Sequence, residues 1–478
     1  MKILIIGDNP QVTGGVCNYT RPLFDKLSKI EKIYYLYSSS RVNPDYNLLF
    51  NTKILKDTSY RDGDVYKIIN SDNLTKNYDN LALDISSEKN DNVFEKFIIE
   101  IKPDVIHIHE IIGFSSNMIS IAKKYNTKVY VTVHEYWWLC PHRVMVDFDR
   151  KICEGPSDMH KCSYCVHLQR KHHPKSSYTK FRFALKNQFP KMFDVVSYGK
   201  GMLTSFRKET PNAVAKENLS FGNHDYSSFQ DKKLEDVLSA RLNNNIEALN
   251  LCDKVIGVSQ DVKNILTKYG VQPEKIIVQH IGSNIAEISS EHNKQVDENK
   301  IVFGFIGGVG YYKGVHQLVE AFISMPDEYK SKAIVDIYGT YSEGYVKAIK
   351  EDILGDKKYS SHVIFHGRYQ HSLIGDITNK IDISVLPSLC ADTAPQTIFE
   401  SFSSGLPIIA PKVGGFSDFV IDNENGLLYE AASVADLKNK MMYIIDNPKK
   451  LDIFTRNIKK SKTLDENIDE LLALYRSK

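Results

Sequence analysis

Asp392-Thr-Ala-Pro-Gln-Thr-Ile-Phe-Glu400, followed at once by Ser401-Phe-Ser-Ser-Gly-Leu-Pro-Ile-Ile-Ala410, decides how the chain is read. Two carboxylates stand eight positions apart, across a loop and the first turns of a helix. Pro395 suits the first helical position, because its ring presets φ and its missing N–H would have no intrahelical partner. The amides of Gln396 and Thr397 then point out of a helix N-terminus, which attracts phosphate. One carboxylate lies before this anion site and one about a turn beyond it. The arrangement suits a ligand with hydroxyls on both sides of a diphosphate, such as a nucleotide sugar.

Around this stretch, strand-like runs alternate with amphipathic helical segments, the mark of parallel βαβ construction. Residues 301–307, 333–339, 362–367, 382–386, 407–410 and 427–429 are strand candidates. Six strands in this order suit a doubly wound sheet that binds ligands at the carboxyl ends of its strands. In the first half, residues 2–6 lead through Thr13-Gly-Gly-Val16 into a helix near 17–29. Residues 104–109, 128–133 and 254–258 are further buried strands, and Ser259 is placed to cap the next helix. Residues 40–95 are polar and Asn/Asp-rich and read as an insertion with little core content; 166–240 reads as a second. A linker is expected near 281–299. The expected domains are 1–290, 291–455 and a terminal helix, 456–478, that can return to the first.

Composition narrows the class. A chain of 478 residues is too long for one core. With 42% apolar residues, 25% charged residues and net charge +2, it has an ordinary globular composition and no global case for nucleic-acid binding. No apolar run approaches the roughly 18–20 residues that span a bilayer. The opening Met1-Lys-Ile-Leu-Ile-Ile-Gly-Asp8 reads as a buried strand, too short for a signal sequence. Seven cysteines, an odd number, point to a reducing compartment, so a cytoplasmic protein is expected.

The second half resembles a retaining glycosyltransferase of family 4 with the GT-B fold, two Rossmann-like α/β domains facing a cleft. Phe303-Gly-Phe-Ile-Gly-Gly-Val-Gly-Tyr-Tyr-Lys-Gly-Val315 looks like that family's strand, glycine turn and Lys-Gly entry to a helix. Residues 382–400, Gly405-Leu-Pro-Ile-Ile-Ala410, Gly414-Gly415 and Asn425-Gly426 look like its donor-binding core. Tyr130-Val-Thr-Val-His-Glu-Tyr136 looks like the first-domain strand that ends in His.

The resemblance implies that Glu400 accepts the ribose hydroxyls and that Asp392, in a position usually held by Glu, faces the sugar. It implies that Lys313 meets the diphosphate, while Gly308 stands where a partner arginine is usual. Arg368 can be borrowed for that role, although its family position lies nearer the base. Gly14, Gly15 and Gly307 follow strand ends and face the cleft in any doubly wound arrangement. A dinucleotide fingerprint is disfavoured, because Lys313 stands where a third glycine belongs and the next strand ends in Tyr338-Gly339.

His134 ends an apolar strand, either as a cleft residue or as a satisfied structural one. His109 is a weaker site candidate, and His107 reads as structural. Cys140, Cys153, Cys162 and Cys165 fall within 26 residues as C-x12-C-x8-C-x2-C, and a subset of the family looks similar there. Four thiolates suit a closed, structural zinc, with His142, His160 and His167 as replacement ligands; free or redox-active thiols are the other reading. Residues 166–193 carry Arg170, Lys171, Lys175, Lys180, Arg182, Lys186 and Lys191 without an acid, interleaved with Phe181, Phe183, Phe189 and Phe193. They read either as a solvated helical face or as a peripheral contact with anionic membrane.

The resulting expectation is transfer of a sugar from a nucleotide-sugar donor to a hydroxyl on a glycan, lipid-linked or protein acceptor, with retention, in glycan or polysaccharide synthesis. The resemblance implies front-face substitution with no protein nucleophile and no catalytic metal or other cofactor. Asp392, His134 and Lys313 are the catalytic candidates. Two rivals remain: a sugar-nucleotide-binding module without turnover, and a zinc-dependent nucleic-acid binder, which the low net charge disfavours.

Overall fold

The computed structural model describes residues 1–12, 14–38, 46–47, 51–60, 63–73, 78–172, 176–189, 224–283, 297, 299–370 and 373–477. Most of the expected linker lies outside the described residues, as do Thr13 and, in the basic tract, Lys175, Lys191 and Phe193.

Two sheets organise the chain. The first contains β1 (Lys2–Gly7), β2 (Lys32–Ser38), β3 (Lys53–Lys56), β4 (Val65–Ile69), β5 (Val105–Ile108), β6 (Lys128–Val133), β7 (Lys254–Gly257) and β8 (Ile276–Val278). Its strand order is β3-β4-β2-β1-β5-β6-β7-β8, parallel except for the antiparallel pair β3 and β4. The second contains β9 (Ile301–Ile306), β10 (Ala333–Tyr338), β11 (Val363–Gly367), β12 (Ile383–Val385), β13 (Ile408–Pro411) and β14 (Gly426–Tyr429). Its order is β11-β10-β9-β12-β13-β14, all parallel. Continuous apolar runs such as Ile3-Leu-Ile-Ile6 form strands here because helices cover both faces of a parallel sheet.

The order in which strands are added reverses between β1 and β5 in one sheet and between β9 and β12 in the other, while the strands stay parallel. Such switch points open a crevice at the carboxyl ends of the strands. The loop after β1 ends in Gly14, and Gly15 begins the helix that follows. The loops after β9 and β12 carry Lys313 and Asp392.

Residues 40–95 differ from the expected insertion. β4 pairs with β2 and buries Val65 and Ile68 completely, β3 closes the sheet edge, and the helix Glu88–Ile101 sends Phe94, Phe97, Ile98 and Ile101 into the first core. The second stretch read as an insertion, 166–240, includes the start of the helix Lys232–Leu251, whose Leu234 and Leu238 are buried with Val166; just beyond it, Arg241 is 1% exposed and bonds Asp84 and the Trp137 carbonyl. In both stretches most exposed positions are polar and hide a smaller buried set.

The terminal helix Leu464–Arg476 packs on the first sheet. A capping box from Thr463 and Glu466 starts it, and Leu464, Ile468, Leu471, Leu472 and Tyr475 join the first core. Each such side chain contributes roughly 1.5–3 kcal/mol of burial. Among the described residues no helix is long and apolar enough to cross a membrane.

Candidate active site

Between the carboxyl ends of the two sheets lies a cleft of about 1380 Å³. On the second-domain wall, β9 ends in Gly307 (φ 143°), where the chain passes Gly339 so closely that a Cβ on Gly339 would sit 1.6 Å from the Gly307 carbonyl oxygen. Gly308 has open space around it. One 3₁₀ turn, Tyr311–Lys313, then delivers Lys313, and Gly314 (φ 68°) follows against the Pro387 carbonyl.

Lys313 Nζ donates to Asp392 Oδ2 at 2.7 Å, and Ser388 Oγ donates to the same oxygen at 3.1 Å. Burial opposes the ammonium charge, but the attraction of Asp392 more than offsets it and the Lys313 pKa is raised. The two sequence candidates therefore meet as an ion pair.

The helix Gln396–Ser403 begins one residue later than expected. Pro395 is its N-cap, with φ −63° and ψ 121°, so its ring presets φ while the peptide beyond it is still extended. Ile398 N–H bonds the Pro395 carbonyl, which leaves the Gln396 and Thr397 amides without acceptors among the described residues. Those amides and the helix dipole form a site for anionic oxygen.

Glu400 lies about one turn further on. It is 7% exposed, its carboxylate has no hydrogen-bond partner among the described residues, and burial pushes its pKa up to about 7. A buried carboxyl without a donor is costly unless a ligand supplies one. Arg368 lines the same cleft beside Thr340 and Tyr369, whose hydroxyl feels the Glu400 charge.

The first-domain wall is built differently. Gly14 and Gly15 face the cleft with nothing within 4 Å of a Cβ at either, and the Gly15 carbonyl accepts from Gln396 Nε2 at 2.7 Å. Thr393 Oγ1 donates to the His134 carbonyl at 2.7 Å, so the motif loop of the second domain is also fastened to the end of β6.

His134 lines the cleft, and its Nε2 shares a hydrogen bond with His109 Nδ1 at 3.0 Å. His109 does not reach the cleft as a substrate-binding residue would. It is 3% exposed, packed between His107 and Tyr19, and stands behind His134. His107 is structural, held by Thr132 Oγ1 and the Tyr475 hydroxyl. Burial lowers the pKa of His134 to about 4 and of His107 to about 3, and drives His109 well below the ordinary imidazole value. All three are neutral near pH 7.

A charge network beside His134 was not read from the sequence. Arg143 pairs with Glu135 through Nε and Nη2, and its Nη2 reaches Glu110 at 3.4 Å. Glu110 is buried and also accepts from the Ile111 and Ile112 amides. Arg143 follows Glu135 by eight residues, and only the reversal of the intervening loop joins them. Adjacent acidic residues at two strand ends, Glu110 and Glu135, were the available signal.

Cys140, Cys153, Cys162 and Cys165 share one patch. Burial and the neighbouring Cys140 and Cys153 push the Cys162 thiol up to about 12, and Cys165 is raised by burial and by the other three. His142 stands 3.8 Å from Cys165 Sγ. All four cysteines are free, and among the described residues no group of three or more His, Cys, Asp or Glu side chains is arranged to hold a metal ion. In the basic tract, Arg170 bonds the Tyr78 carbonyl and Lys180 pairs with Asp72, whereas Phe181 and Phe189 are exposed.

Comparison with known proteins agrees with this architecture. Residues 287–461 match the family model described as "Glycosyl transferases group 1". An uncharacterized glycosyltransferase of Methanocaldococcus jannaschii is 26% identical over 211 residues, 43% of this chain and 53% of that protein. The chain spans about half the length of the curated relatives it matches. Sucrose-phosphate synthase from Thermosynechococcus elongatus superposes with a TM-score of 0.59 at 14% identity, over 99% of this chain and 98% of that one. Anabaena HepE in complex with UDP gives 0.58 at 13% identity, over 99% and 100%. The chain has the GT-B fold, two parallel-sheet α/β domains facing a cleft.

Proposed function

We propose that the protein is a glycosyltransferase that moves a sugar from a nucleotide-sugar donor to a hydroxyl acceptor with retention of configuration. The observation that carries this reading is the convergence, on one cleft wall, of the Lys313 ammonium, two free helix amides and the unpartnered Glu400 carboxyl. These groups match a diphosphate and a ribose in that order, and the group 1 family match covers the residues that bear them.

In the proposed reaction the bond from the anomeric carbon to the diphosphate oxygen breaks, and the acceptor oxygen bonds to that carbon on the same face. The acceptor proton passes to the departing diphosphate. Lys313 and the Gln396 and Thr397 amides hold the growing negative charge; each such donor is worth about 10²–10³ in rate. Lys313 exchanges Asp392 for phosphate when the donor binds, which frees Asp392 to accept from a sugar hydroxyl. His134 orients the sugar from the opposite wall as a neutral imidazole. Closure of the cleft excludes water that would otherwise hydrolyse the donor.

The acceptor class is a glycan, a lipid-linked sugar or a protein. Phe181 and Phe189, exposed near Arg182 and Lys186, support a peripheral contact with anionic membrane, which sedimentation with anionic vesicles tests. Structural zinc on Cys140, Cys153, Cys162 and Cys165 is a separate proposal. Four soft ligands on one patch support it, although the sulfurs are not drawn into metal-holding geometry. Elemental analysis should find about one zinc per chain; protein without it would reject the site. No step of the transfer runs through that metal, so turnover should persist in EDTA.

The experiment for the main reading is a donor-hydrolysis assay across nucleotide sugars with an acceptor screen. Donor binding without hydrolysis or transfer would leave a sugar-nucleotide-binding module, which Gly308 and the short Asp392 favour.

A further inference from the structure

The hairpin at residues 143–152 lies beside the thiol patch and carries concentrated backbone strain. Eight non-glycine residues have positive φ among the described residues, and Arg143 (72°), Met145 (47°) and Arg150 (62°) are three of them. Strained positions persist where the surroundings over-determine them, and they gather at functional elements. Here the surroundings are explicit. Val146 and Ile152 form an antiparallel bridge, and Arg150 N–H bonds the Asp147 carbonyl at 2.9 Å. Asp147 Oδ1 accepts from the Asp149 and Lys151 amides, while its Oδ2 pairs with Lys161 at 2.9 Å. Cys153 N–H bonds Met145 O at 2.8 Å and ties the hairpin base to the thiols. The turn has one shape, and it directs Arg150 out of the first domain.

Arg150 reaches the second. Its guanidinium lies 4.7 Å from the centre of the Tyr311 ring. Its Nη1 is buried without a hydrogen-bond partner among the described residues, so the ring face is a main contact of that end of the side chain. Tyr311 stacks in turn on His316, with centroids 4.8 Å apart and planes inclined by 18°. His316 Nδ1 bonds the Tyr345 hydroxyl at 2.8 Å, which anchors the stack in the second domain. Tyr311 begins the single 3₁₀ turn that ends in Lys313, between two glycines that leave the turn little intrinsic rigidity. An arginine over a tyrosine face is a directional contact, and it exists only while the two domains stand close.

We propose that Arg150 is a positioning residue that couples closure of the cleft to the turn carrying Lys313. The inference rests on the reading of Lys313 as the lysine that meets the diphosphate. With the cleft closed, Arg150 clamps Tyr311 against His316 and holds Lys313 at the depth where a diphosphate would lie. With the cleft open, the clamp is released and the turn that carries Lys313 loses this hold from the first domain; the Lys313–Asp392 pair, present here with the clamp engaged, is exchanged only when a donor binds. Arg150 itself does not line the cleft, and it acts through Tyr311.

The test uses the full chain and the variants Arg150→Ala, Arg150→Lys, Tyr311→Leu and the double variant Arg150→Ala/Tyr311→Leu. Hydrogen exchange is followed at the amides of residues 310–314, free and with UDP, and turnover is followed with UDP-sugars. Arg150→Ala should speed exchange across that turn and lower kcat, each by roughly five- to thirty-fold, with the donor KM changed much less. Arg150→Lys should recover part of both effects. The double variant should be no worse than Tyr311→Leu alone, because both substitutions remove one contact.

Wild-type exchange and wild-type kcat in Arg150→Ala would overturn the proposal, and so would additive losses in the double variant. Should Arg150→Ala fail to fold, Arg150→Lys carries the same comparison. If the wild-type protein turns over no UDP-sugar, the proposed function is in question, while the exchange data still judge Arg150.

Discussion

The two walls of the cleft hold charge in opposite ways. The second-domain wall offers groups that are charged or close to becoming so: Lys313 paired with Asp392, and Glu400 with a pKa near 7. The first-domain wall presents one imidazole, His134, backed by His109 and His107, and burial keeps all three neutral. In the proposed reaction a leaving diphosphate needs cations and oriented dipoles; the second wall sets Lys313 beside the Gln396 and Thr397 amides, whereas Arg143 on the first wall is paired with Glu135 and Glu110. Under the same proposal a sugar ring needs hydrogen bonds of fixed direction, and His134, held by His109, could supply one without a counter-charge. Under the proposed reaction, the difference gives charge stabilisation to one domain and orientation to the other.

That division is tested most severely at Lys313. Lys313→Ala should reduce turnover by about 10²–10³ while the fold survives, since the side chain is partly exposed and its loss removes one cation from the leaving group. Wild-type rates would move the charge stabilisation elsewhere, with Arg368 the next residue to substitute.

Glu400→Gln should weaken nucleotide binding by roughly ten- to a hundred-fold, the range of a charge-assisted hydrogen bond worth about 1.5–3 kcal/mol. Unchanged affinity for a nucleoside diphosphate, measured by calorimetry, would take Glu400 out of the site.

The pH dependence sharpens the contrast. Burial raises the folded pKa of Glu400 above that of an unfolded carboxyl, so ionising it costs the empty protein stability. That penalty is absent below about pH 4.5, grows as pH rises, and is complete above about 7. Ribose hydroxyls stabilise the ionised form, so affinity for a nucleotide sugar should rise roughly tenfold from pH 6 to pH 8. Binding should release a fraction of a proton near neutrality, and titration in buffers of different ionisation enthalpy measures it.

The smallest effect belongs to the neutral wall. His134→Ala should lower kcat/KM by roughly tenfold, consistent with one lost hydrogen bond of about 1–1.5 kcal/mol. Because the His134 pKa is lowered to about 4, the wild-type profile should show no inflection from it between pH 5 and 8. An inflection near 6.5 that vanishes in His134→Ala would make this residue a proton carrier and break the comparison.

The second domain was the more legible half. All six of its strands follow from apolar runs with glycine turns, because strands covered on both faces need little else. Its motif residues Gly307, Gly308, Lys313, Arg368, Asp392, Gln396, Thr397 and Glu400 all line one cleft. The one-residue shift at Pro395 reflects ψ, which the proline ring does not fix.

The first domain hid more. Polar side chains on the exposed faces of β3, β4 and the helix Glu88–Ile101 masked the apolar set beneath. His109 and His134 look alike in sequence, each ending a buried strand, and only their packing shows that one stands behind the other. The Arg143 network and the reach of Arg150 to Tyr311 in the second domain depend on loop reversal, which composition and periodicity do not encode.

Ligand-induced stabilisation tests the central claim most directly. Wild-type protein and Glu400→Gln are melted at pH 8 with a panel of nucleoside diphosphates and their sugar conjugates. At about 100 times its dissociation constant, one nucleotide class should add about 2.7 kcal/mol to the wild-type protein, and distinctly less to the variant at the same concentration. No stabilisation of the wild-type protein by any nucleotide, or equal stabilisation of both proteins, would contradict the assignment of this cleft to a nucleotide sugar.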